Sequence, residues 1–590
     1  MTDRMYTLPF VDLLDWILAE YQAEGSIFGI PKELFFVPRD DAPYATTLFG
    51  ERLSSPFGPA AGPHTQLTQN ILAAWLVGSR FIELKTVQVM DRLEIPRPCI
   101  DMEDEGYNVE WSQELRLHES AREYAKAWVL VHVLGRLLGH DATSRFGTIF
   151  NMSVGYNMEG ILQPTMQRFM AQLEDASEDI GSLTEVLKER YPRFADIEIP
   201  TRIVNSVTLS TMHGCPPDEI ERIARYLIEE RGLHTTVKLN PTLLGKERVL
   251  EILHDRLGYR EIVIPDKVFE QDLRYERAIE LIRALRTSAA EHERVFGVKL
   301  SNTLAMANHR DALPGDEMYM SGRALYPLTM QLFSRLIDEL GEDLPVSYSA
   351  GADAFNVVDL ASAGALPITV ASDLLKPGGY SRMAQYIGEL ERAMNERGAT
   401  TLAAFSEGRS TRVSSAAERA LADPRYAKAY HMHGLPKVDS PLDPFDCIEA
   451  PCVAQCAVCQ DVPDYVHWIA ARDDDRALAT ILHRNPLPGV TGHVCTNLCQ
   501  TRCTRNVYDQ PVAIRRLKRF AVEQGKTAIA AASRIGHRVA VIGSGPSGLA
   551  AGYFLAACGI GVTIFEAKDR PGGMLAIAPP FRLPETIVRA

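Results

Sequence analysis

The sequence predicts an α/β protein with an amino-terminal (β/α)8 barrel, a helical cysteine-rich region and a βαβ unit at the carboxyl end. Three observations lead to this prediction. Short apolar segments alternate with helical segments from about residue 52 to residue 400. Seven of the ten cysteines lie in two runs between residues 447 and 503. A glycine-rich loop, Gly543-x-Gly545-x-x-Gly548, then separates an apolar strand from a helix.

Length and charge narrow the class of protein. With 590 residues the chain is expected to hold two to four domains. A net charge of −14 argues against a nucleic-acid partner and leaves no polybasic face for a membrane surface. The acidic amino terminus lacks the apolar core of a signal peptide, and no run of about 20 apolar residues is present. We therefore expect a cytoplasmic protein whose cysteines stay reduced.

The first 50 residues are expected to form a cap with one amphipathic helix, "FVDLLDWILAEY". Residues 51–400 are expected to form the barrel, because strands that alternate with helices in this number are typical of that fold. One further apolar run, residues 261–268, does not fit the count, and we interpret it as an insertion after the fifth strand. The strand candidates span residues 57–62, 81–87, 148–154, 205–210, 236–240, 295–302, 345–351 and 367–372.

Composition divides the rest of the chain into three parts. Residues 401–440 are loop-rich and charged, which indicates a linker. Residues 441–530 carry the clustered cysteines on a helical background. Residues 537–590 form the βαβ unit at the carboxyl end.

The glycine loop has the residues that a Rossmann-like dinucleotide site needs. Gly543 allows a tight turn, Gly545 lets the backbone approach a pyrophosphate, and Gly548 lets the helix pack on the strand. The N–H groups at the helix start then face the phosphates. A second apolar strand ends at Glu566, at about the spacing expected for an acid that binds a ribose hydroxyl. The alternative is a glycine-rich turn in an α/β unit that binds no ligand.

The spacing of the cysteines favours a metal site. Thiolates bind iron–sulfur clusters or zinc, and seven exceed the four ligands of one zinc ion. Two [4Fe–4S] clusters want eight ligands, so seven thiolates fit two clusters with one non-cysteine ligand, or one cluster with spares. Zinc and unligated thiols are the alternatives. The candidate metal ligands are Cys447, Cys452, Cys456, Cys459, Cys495, Cys499 and Cys503.

The residues after the glycine loop resemble the FAD site of flavoproteins of the glutamate synthase small-subunit type. In "AKDRPGGMLAIAPPFRLPETIV", Gly572, Gly573 and Leu575 match the loop of that family, and "FRLP" follows. The resemblance implies that FAD binds here. A βαβ start cannot enclose FAD, so we expect the chain to be a fragment of a longer polypeptide, with the NAD(P)H site outside it.

The cysteine runs resemble the electron-transfer module that glutamate synthase small subunits share with dihydropyrimidine dehydrogenase. "GVTGHVC" and "PVAIRRLKRFAVE" match the second half of that module. The module's leading cysteine would fall at Pro444, and a ligand that some members supply from the later helix would fall near Lys518. Neither residue suits iron, and Cys459 could complete either cluster. The resemblance implies one cluster on Cys447, Cys452 and Cys503, and another on Cys456, Cys495 and Cys499.

The barrel resembles the FMN barrel of the dihydroorotate dehydrogenase family, which also forms the pyrimidine site of dihydropyrimidine dehydrogenase. The matching segments include "FIELKTV", "NSVTLSTMHGC", "VKLNP", "KLSNT" and "SAGADAFNVVDLASAGA". The resemblance implies that Lys85 and Lys238 lie along the flavin and that Gly351 approaches its phosphate. It also implies that Asn302, with Asn205, binds the amide-like edge of a substrate. A cation beside the flavin would stabilise the reduced anionic form.

Two features of these segments leave alternatives open. The usual Gly-Gly of the phosphate loop is replaced by Ala350-Gly351, although Gly378 and Gly379 offer a second loop for a phosphate. Lys85 and Lys238 could instead be partners in buried structural ion pairs.

Cys215, in "TMHGCPPDEIERI", lies close to the loop where the dihydroorotate dehydrogenase family places a Cys or Ser general acid. A helix is predicted to start just after it, and a helix N-terminus lowers a thiol's pKa. His213 could tune the thiol further. The alternative is an unreactive loop cysteine followed by a helix cap. Cys99 and Cys558 are interpreted as small core residues.

The order of barrel, clusters and FAD resembles the bacterial family of selenate reductase flavoprotein subunits over nearly the whole chain. That resemblance implies an oxidoreductase that relays electrons from NAD(P)H through FAD and [4Fe–4S] clusters. The acceptor would be FMN and a small-molecule substrate in the barrel, or a partner reductase subunit. Two alternatives stay open: a barrel without flavin that serves as a docking scaffold, and reduction of a small heterocycle as in dihydropyrimidine dehydrogenase.

Overall fold

The computed structural model divides the chain into two compact units, Met1–Asp446 and Cys447–Ala590. Among the residues it describes, none of the helices combines the length and apolar character needed to cross a membrane. The described residues are 7–89, 99–101, 107–108, 114–140, 146–155, 157–210, 216–309, 313, 315–376, 378–430, 450–503, 505, 510–528 and 532–589.

A sheet of eight parallel strands forms the core of the first unit. Each strand overlaps one of the predicted segments, so the predicted (β/α)8 barrel is confirmed. Most strand positions are buried, because helices cover the outside and side chains fill the inside. The strands are β1 Phe57–Pro59, β2 Phe81–Glu83, β3 Ile149–Val154, β4 Val204–Ser210, β5 His234–Leu239, β6 Phe296–Leu300, β7 Val346–Tyr348 and β8 Ala365–Val370.

The ring of strands closes between β1 and β2. The hydrogen-bonded order is β1-β8-β7-β6-β5-β4-β3-β2, and the N–H of Arg80 donates to the carbonyl of Phe57 at 2.9 Å across the remaining gap. A Cβ atom at Gly58 would stand 1.6 Å from the carbonyl oxygen of Phe81. The close approach of β1 to β2 therefore requires glycine at position 58.

Amphipathic helices pack around the strands. Tyr275–Glu291 is typical, because its buried residues Ala278, Ile282 and Leu285 recur at helical spacing. The predicted amino-terminal helix forms at Phe10–Glu24 and buries its apolar face in the same core. The other α-helices of this unit are Thr68–Leu76, Leu117–Leu137, Met158–Ile161, Pro164–Glu174, Ser177–Arg190, Pro217–Arg225, Lys246–Leu250, Asp266–Gln271, Leu325–Leu340, Val357–Ser362, Arg382–Glu396, Leu402–Phe405 and Arg409–Ala422.

Smaller sheets lie at the two ends of the barrel. The hairpin of Thr46–Leu48 and Glu51–Leu53 precedes β1 and packs Leu53 against the first residues of β2 and β3. A four-stranded sheet draws instead on the segments that follow β2 and β6. Its strands, in spatial order, are Leu304–Ala307, Glu317–Met320, Ile100–Asp101 and Tyr107–Asn108.

The extra apolar run at residues 261–268 is not a barrel strand. It lies in the connection from β5 to β6, as the insertion hypothesis predicts. Ile262 and Ile264 are buried there, and the carbonyl of Val263 accepts a hydrogen bond from the N–H of Ala307 at 2.8 Å. The run is apolar because it packs on the core as an extended segment before the helix Asp266–Gln271.

The prediction of a linker over residues 401–440 is wrong for residues 401–430. The helix Arg409–Ala422 buries Val413, Ala416 and Ala420 and packs against Leu325–Leu340. Arg409 donates hydrogen bonds to the carbonyls of Ala363, Glu342 and Leu344. This helix is amphipathic, and the face that it buries consists of small residues. Its composition therefore resembles that of a loop, although the spacing of its apolar residues is that of a helix.

The second unit combines short helices with a two-stranded parallel sheet. A small core that includes Val462, Tyr465 and Ile481 holds the helices together. The sheet consists of β9 Arg538–Ile542 and β10 Gly561–Phe565, joined by the helix Pro546–Ala557. The remaining helices are Pro451–Ala454, Val462–Ala470, Asp474–Arg484, Pro488–Val494, Leu498–Thr501, Ile514–Gln524 and Glu585–Arg589.

Candidate functional site

Short helical turns bring cysteines from both runs together. Cys452 lies in Pro451–Ala454, Cys499 lies in Leu498–Thr501, and the two turns are in contact. Burial, together with the nearby thiols of Cys503 and Cys499, raises the pKa of the Cys452 thiol to about 11. The folding of the second unit therefore joins residues that are about 50 positions apart in sequence.

A second group of thiols surrounds Cys499. Burial raises the pKa of this thiol, and the neighbouring thiols of Cys495 and Cys456 act in the same direction. The resemblance assigns Cys452 and Cys503 to one group, and Cys456, Cys495 and Cys499 to the other. Cys499 also lies near Cys452, so this partition stays a prediction.

Tyr465 lies near several of these thiols. Its side chain is buried, and burial raises the pKa of its hydroxyl well above the ordinary value. The thiols of Cys499, Cys456 and Cys452 contribute to the same shift, so members of both groups are near the ring. The sequence analysis missed this residue, although an aromatic residue nine positions after Cys456 was visible.

Cys459 differs from the other described thiols of the two runs. It is exposed and has a left-handed φ of 44°, whereas the others are half-buried. The structure therefore gives no support to Cys459 as the ligand that completes a cluster. Cys447 lies outside the described residues.

Two cations from one helix lie beside Cys495. The ammonium of Lys518 donates to Sγ of Cys495 at 3.8 Å, and Nη1 of Arg515 donates to the Cys495 carbonyl at 3.0 Å. Both residues lie in Ile514–Gln524, three positions apart, so they share one face of the helix. The helix therefore presents positive charge to a group of thiols.

The donor set of these thiols fits iron–sulfur chemistry. Half-buried thiols in two neighbouring groups, with cations beside them, are suited to hold anionic clusters. No three Cys, His, Asp or Glu side chains within the described part of the chain converge closely enough for a single metal ion. A cluster sets its ligand sulfurs further apart than one ion does.

The glycine loop has the conformation of a dinucleotide-binding turn. Gly543 has a left-handed φ of 95°, and a Cβ atom at Gly548 would stand 2.0 Å from the Gly543 carbonyl oxygen. A Cβ atom at Gly545 would meet no atom within 4 Å, so open space faces the loop there. These are the geometries that a tight turn, close helix packing and an approaching pyrophosphate require.

Glu566 lies beside the same loop at the end of β10. Its carboxylate accepts hydrogen bonds from the N–H and the hydroxyl of Ser544, at 2.9 and 2.6 Å, and from the N–H of Lys568 at 2.9 Å. The bonds from Ser544 are the main reason why the pKa of Glu566 is lowered to about 2. Ser544, which the sequence analysis did not single out, therefore orients the acid that is expected to bind ribose.

The predicted second glycine loop packs against the first. The N–H of Gly572 donates to the carbonyl of Ser544 at 2.9 Å, and a Cβ atom at Gly573 would stand 2.9 Å from Cα of Gly545. Leu575 lies in the 3-10 turn Gly573–Ile577, which follows directly. The predicted cofactor-binding residues of this unit therefore lie together.

The βαβ unit is attached to two helices of the cysteine-rich region that carry no cysteine themselves. The hydroxyl of Tyr553, in Pro546–Ala557, donates to the carbonyl of Leu482 in Asp474–Arg484 at 3.0 Å. The helix Glu585–Arg589 also packs on Pro488–Val494. The nucleotide loop and the thiol groups thus belong to one compact unit.

At the carboxyl ends of the barrel strands, polar side chains lie side by side. Ser210, Lys238 and Lys299 are paired positions on β4, β5 and β6. The amide of Asn302, just after β6, donates to the side-chain oxygen of Asn240 at 2.7 Å. Lys238 and Asn302 are therefore brought together at the end of the barrel where barrel enzymes bind substrates.

A buried ion pair that the sequence analysis missed lies next to Lys238. The ammonium of Lys299 donates to Oε2 of Glu83 and to the hydroxyl of Thr369, both at 2.6 Å. Although burial raises the pKa of Glu83, the charges of Lys299 and Lys238 outweigh it and hold the pKa below its ordinary value. The sequence feature that could have predicted this pair is a charged residue inside each of two apolar strands.

Lys85 is buried just after β2, and His64 is buried in the loop that follows β1. Burial lowers the pKa of His64 to about 4, and the nearby ammonium of Lys85 lowers it further. Nε2 of His64 has no hydrogen-bond partner among the described residues. Lys85 therefore faces other polar groups inside the barrel.

The predicted phosphate loop does not show an open cradle. A Cβ atom at Gly351 would stand 2.4 Å from the carbonyl oxygen of Gly322, so the protein's own backbone fills that space. Ala350 has a φ of 115°, a conformation that favours glycine. Gly378 and Gly379, in the loop after β8, also have positive φ. The space beside Gly351 therefore does not fit a flavin phosphate.

The prediction that Asn205 binds substrate together with Asn302 is wrong. Asn205 is the second residue of β4 and lies at the amino end of the barrel. Its amide donates to the carbonyl of Phe49 and to Oε1 of Glu51, at 3.1 and 2.8 Å, in the hairpin that precedes β1. A residue at the start of a strand cannot reach a site at the opposite end. Cys215 and His213 lie outside the described residues.

Three family models match successive parts of the chain. The model described as "Oxidoreductase YgfK, N-terminal TIM-barrel domain" matches residues 28–428. The model for dihydropyrimidine dehydrogenase domain II, a 4Fe-4S cluster domain, matches residues 444–529. An "NAD(P)-binding Rossmann-like domain" matches residues 541–580.

Curated relatives match the whole chain or about a quarter of it. "Putative oxidoreductase YgfK" of Escherichia coli (strain K12) is 44% identical over 615 residues, which cover 100% of this chain and 58% of the relative. "NADP(+)-dependent formate dehydrogenase subunit beta" of Moorella thermoacetica is 38% identical over 24% of each chain. "NAD-dependent dihydropyrimidine dehydrogenase subunit PreT homolog" of Salmonella typhi is 38% identical over 24% of this chain and 36% of the relative.

Among solved structures, a ligand-free dihydroorotate dehydrogenase from Eimeria tenella matches 67% of this chain and 96% of its own, at 16% identity and a TM-score of 0.41. The chain spans 58% of the length of its Escherichia coli relative. The barrel model covers well over half of the chain. The protein therefore belongs to the YgfK family of oxidoreductases, with a 4Fe-4S domain and an NAD(P)-binding Rossmann-like domain after its TIM barrel.

Proposed function

We propose that this protein is an iron–sulfur flavoprotein that relays electrons from NAD(P)H, through FAD and two [4Fe–4S] clusters, to an acceptor in the barrel or on a partner subunit. The observation that carries the proposal is the hydrogen bond from Tyr553 to Leu482. It ties the helix of the nucleotide loop to Asp474–Arg484, whose residue Ile481 lies in the core against which Cys452 and Cys499 pack. Such proximity is what short-range electron transfer between a nucleotide cofactor and clusters requires.

The chain's own residues would hold and separate the groups. Gly545 leaves space for a pyrophosphate, and Glu566 is oriented by Ser544 for a ribose hydroxyl. The two groups of thiols would each hold one cluster, with Tyr465 near thiols of both groups. When bound, FAD would supply two-electron chemistry and the clusters one-electron chemistry, which splits a hydride's electrons into single steps.

The barrel would bind a small organic acceptor at its carboxyl end. The amide of Asn302 and the side chains of Asn240 and Ser210 form a polar set that suits the amide-like edge of a small heterocycle. Lys238 would stabilise negative charge that develops on the acceptor or on a flavin. We keep Cys215 as the proposed general acid of such a reduction.

A specific observation favours a second function, in which the barrel holds no flavin and serves as a docking scaffold. The backbone of Gly322 fills the space beside Gly351, and Ala350 replaces a glycine of the usual phosphate loop. In that case electrons would leave the clusters for a partner reductase. The resemblance to selenate reductase subunits makes selenate one acceptor to test, and ligation by reduced thiols suits a cytoplasmic protein.

Anaerobic purification followed by cofactor analysis tests these proposals. We expect about eight irons and eight sulfides per chain, four for each cluster, together with FAD released on denaturation. FMN in addition would support a flavin-bearing barrel, whereas FAD without FMN would favour the scaffold. Zinc in place of iron, or protein that holds neither iron nor flavin after anaerobic reconstitution, would overturn the electron-relay proposal.

A further inference from the structure

We propose that Lys518 is a tuning residue whose positive charge raises the reduction potential of the cluster held by Cys456, Cys495 and Cys499. The inference rests on the proposed function in one respect, which is that these thiols hold a cluster. It goes further, because it gives the two clusters different potentials and therefore sets which of them holds an electron. Lys518 is not assigned as an iron ligand.

The geometry points the charge at one group of thiols. Nζ of Lys518 lies 3.8 Å from Sγ of Cys495, and the Lys518 side chain is only 7% exposed. Among the described residues, Lys518 donates to Cys495 and makes no hydrogen bond to Cys452 or Cys503 of the other group.

A second residue of the helix that carries Lys518 also binds Cys495 and holds the helix in position. Nη1 of Arg515 donates to the carbonyl of Cys495 at 3.0 Å, and Arg515 lies almost one turn before Lys518. Ile514 and Ala521 of the same helix are buried in the core of the second unit. The backbone of Lys518 is therefore held beside Cys495 by a packed helix.

The burial of Lys518 requires a negative partner. A buried ammonium is costly unless an anion compensates it. In the part of the chain that the structure describes, the recorded partner of this ammonium is the sulfur of Cys495 rather than a carboxylate. A neutral thiol compensates poorly, whereas a cluster-bound thiolate carries negative charge. The position thus fits an anionic cluster better than free thiols.

A cation at this distance favours the reduced form of the cluster. Reduction adds one negative charge to the cluster, and a fixed positive charge in a poorly solvated site stabilises that form more than the oxidised form. The N–H···S bond acts in the same direction, since hydrogen bonds to cluster sulfurs are among the factors that set the potential. Removal of the charge should therefore lower the potential.

The test is a redox titration of the reconstituted full chain, followed by electron paramagnetic resonance. Lys518→Met should lower the midpoint potential of one of the two clusters by at least 59 mV, a tenfold change for one electron, and leave the other unchanged. Lys518→Gln keeps an N–H donor without the charge and should also lower the potential, by less than Lys518→Met does. Lys518→Arg keeps the charge and should stay close to the wild type. Arg516→Met removes an exposed charge from the same helix and serves as the matched control.

The outcomes separate this inference from the proposed function. If the wild-type chain binds no iron, the proposed function fails before Lys518 is examined. If all chains hold two clusters but Lys518→Met and Lys518→Gln leave both potentials unchanged, the tuning role is overturned. Loss of iron from Lys518→Arg and Lys518→Met alike would also overturn it, because it would show that Lys518 holds the site together. A wild-type potential in Lys518→Gln would assign the effect to hydrogen bonding instead of charge.

Discussion

Inside the barrel, Nζ of Lys299 donates to Oε2 of Glu83 at 2.6 Å, and each side chain is 1% exposed. Lys299→Met would leave the Glu83 carboxylate buried beside the half-buried Lys238 as its remaining cation. We expect the free energy of unfolding of the barrel unit to fall by about 3–5 kcal/mol, the usual result of breaking a buried pair. Urea unfolding followed by the fluorescence of Trp75 and Trp128 measures it.

Two further variants control this prediction. Glu83→Gln combined with Lys299→Met removes both charges while the Gln oxygen can still accept from the N–H of Ala61, so most of the stability should return. Arg392→Met breaks exposed pairs with Glu389 and Glu396 and should leave the free energy of unfolding almost unchanged. If the double variant is as unstable as Lys299→Met, the pair is not the cause.

The stability of the barrel should depend on His64 between pH 6.5 and 4. The pKa of His64 is lowered from 6.5 to about 4 by burial and by Lys85, while Glu83 acts in the opposite direction. In this window the unfolded chain binds a proton that the folded chain does not, so stability falls as the pH falls. At pH 4 this difference in proton binding lowers the free energy of unfolding by about 3 kcal/mol relative to neutral pH.

Thermal or urea unfolding at pH 7 and pH 4.5 checks this prediction with His64→Gln as the comparison. The variant should lose less stability than the wild type on acidification. His132, whose pKa burial also lowers to about 4, is present in both chains, so its contribution cancels. Equal losses of stability in the two chains would show that His64 has the same pKa in the folded and the unfolded chain.

The two loop glycines should respond differently to alanine. Gly545→Ala adds a Cβ where no atom lies within 4 Å, so the fold should survive while the space for a pyrophosphate is lost. We expect bound dinucleotide per chain to fall at least about tenfold, because the backbone can no longer approach the phosphates. Gly548→Ala would place a Cβ 2.0 Å from the Gly543 carbonyl and should disturb the loop itself.

Dinucleotide content and circular dichroism distinguish these cases. Gly388→Ala, in the helix Arg382–Glu396, also adds a Cβ into open space and should change neither quantity. Unchanged dinucleotide content in Gly545→Ala would contradict the assignment of this loop.

Cys459→Ala should leave iron and acid-labile sulfide unchanged, because Cys459 is exposed whereas the other described thiols of the two runs are half-buried. Cys499→Ala should lose about half of both, since Cys499 is central to its group. Assays of iron and acid-labile sulfide in anaerobically reconstituted protein test both variants. Equal losses in the two variants would make Cys459 a ligand.

Periodic features of the fold could be predicted from the sequence. Each barrel strand was visible as a short apolar segment, because a buried strand needs apolar residues on both faces. The glycine loop was visible because Gly543 and Gly548 occupy positions where a side chain would clash or strain the backbone. Residues 401–430 were misjudged, since the helix Arg409–Ala422 buries small residues that also occur in loops.

The sequence by itself determined the kinds of chemistry available: seven clustered thiols, a glycine turn for a dinucleotide, and lysines at strand ends. Only the tertiary structure decided which of these groups meet. It joined Cys452 to Cys503, set Lys518 beside Cys495, paired Lys299 with Glu83, and left Asn205 at the wrong end of its strand. Spacing along a chain fixes local geometry, whereas contacts between distant residues depend on how helices and strands pack, and on the burial that makes each charge require a partner.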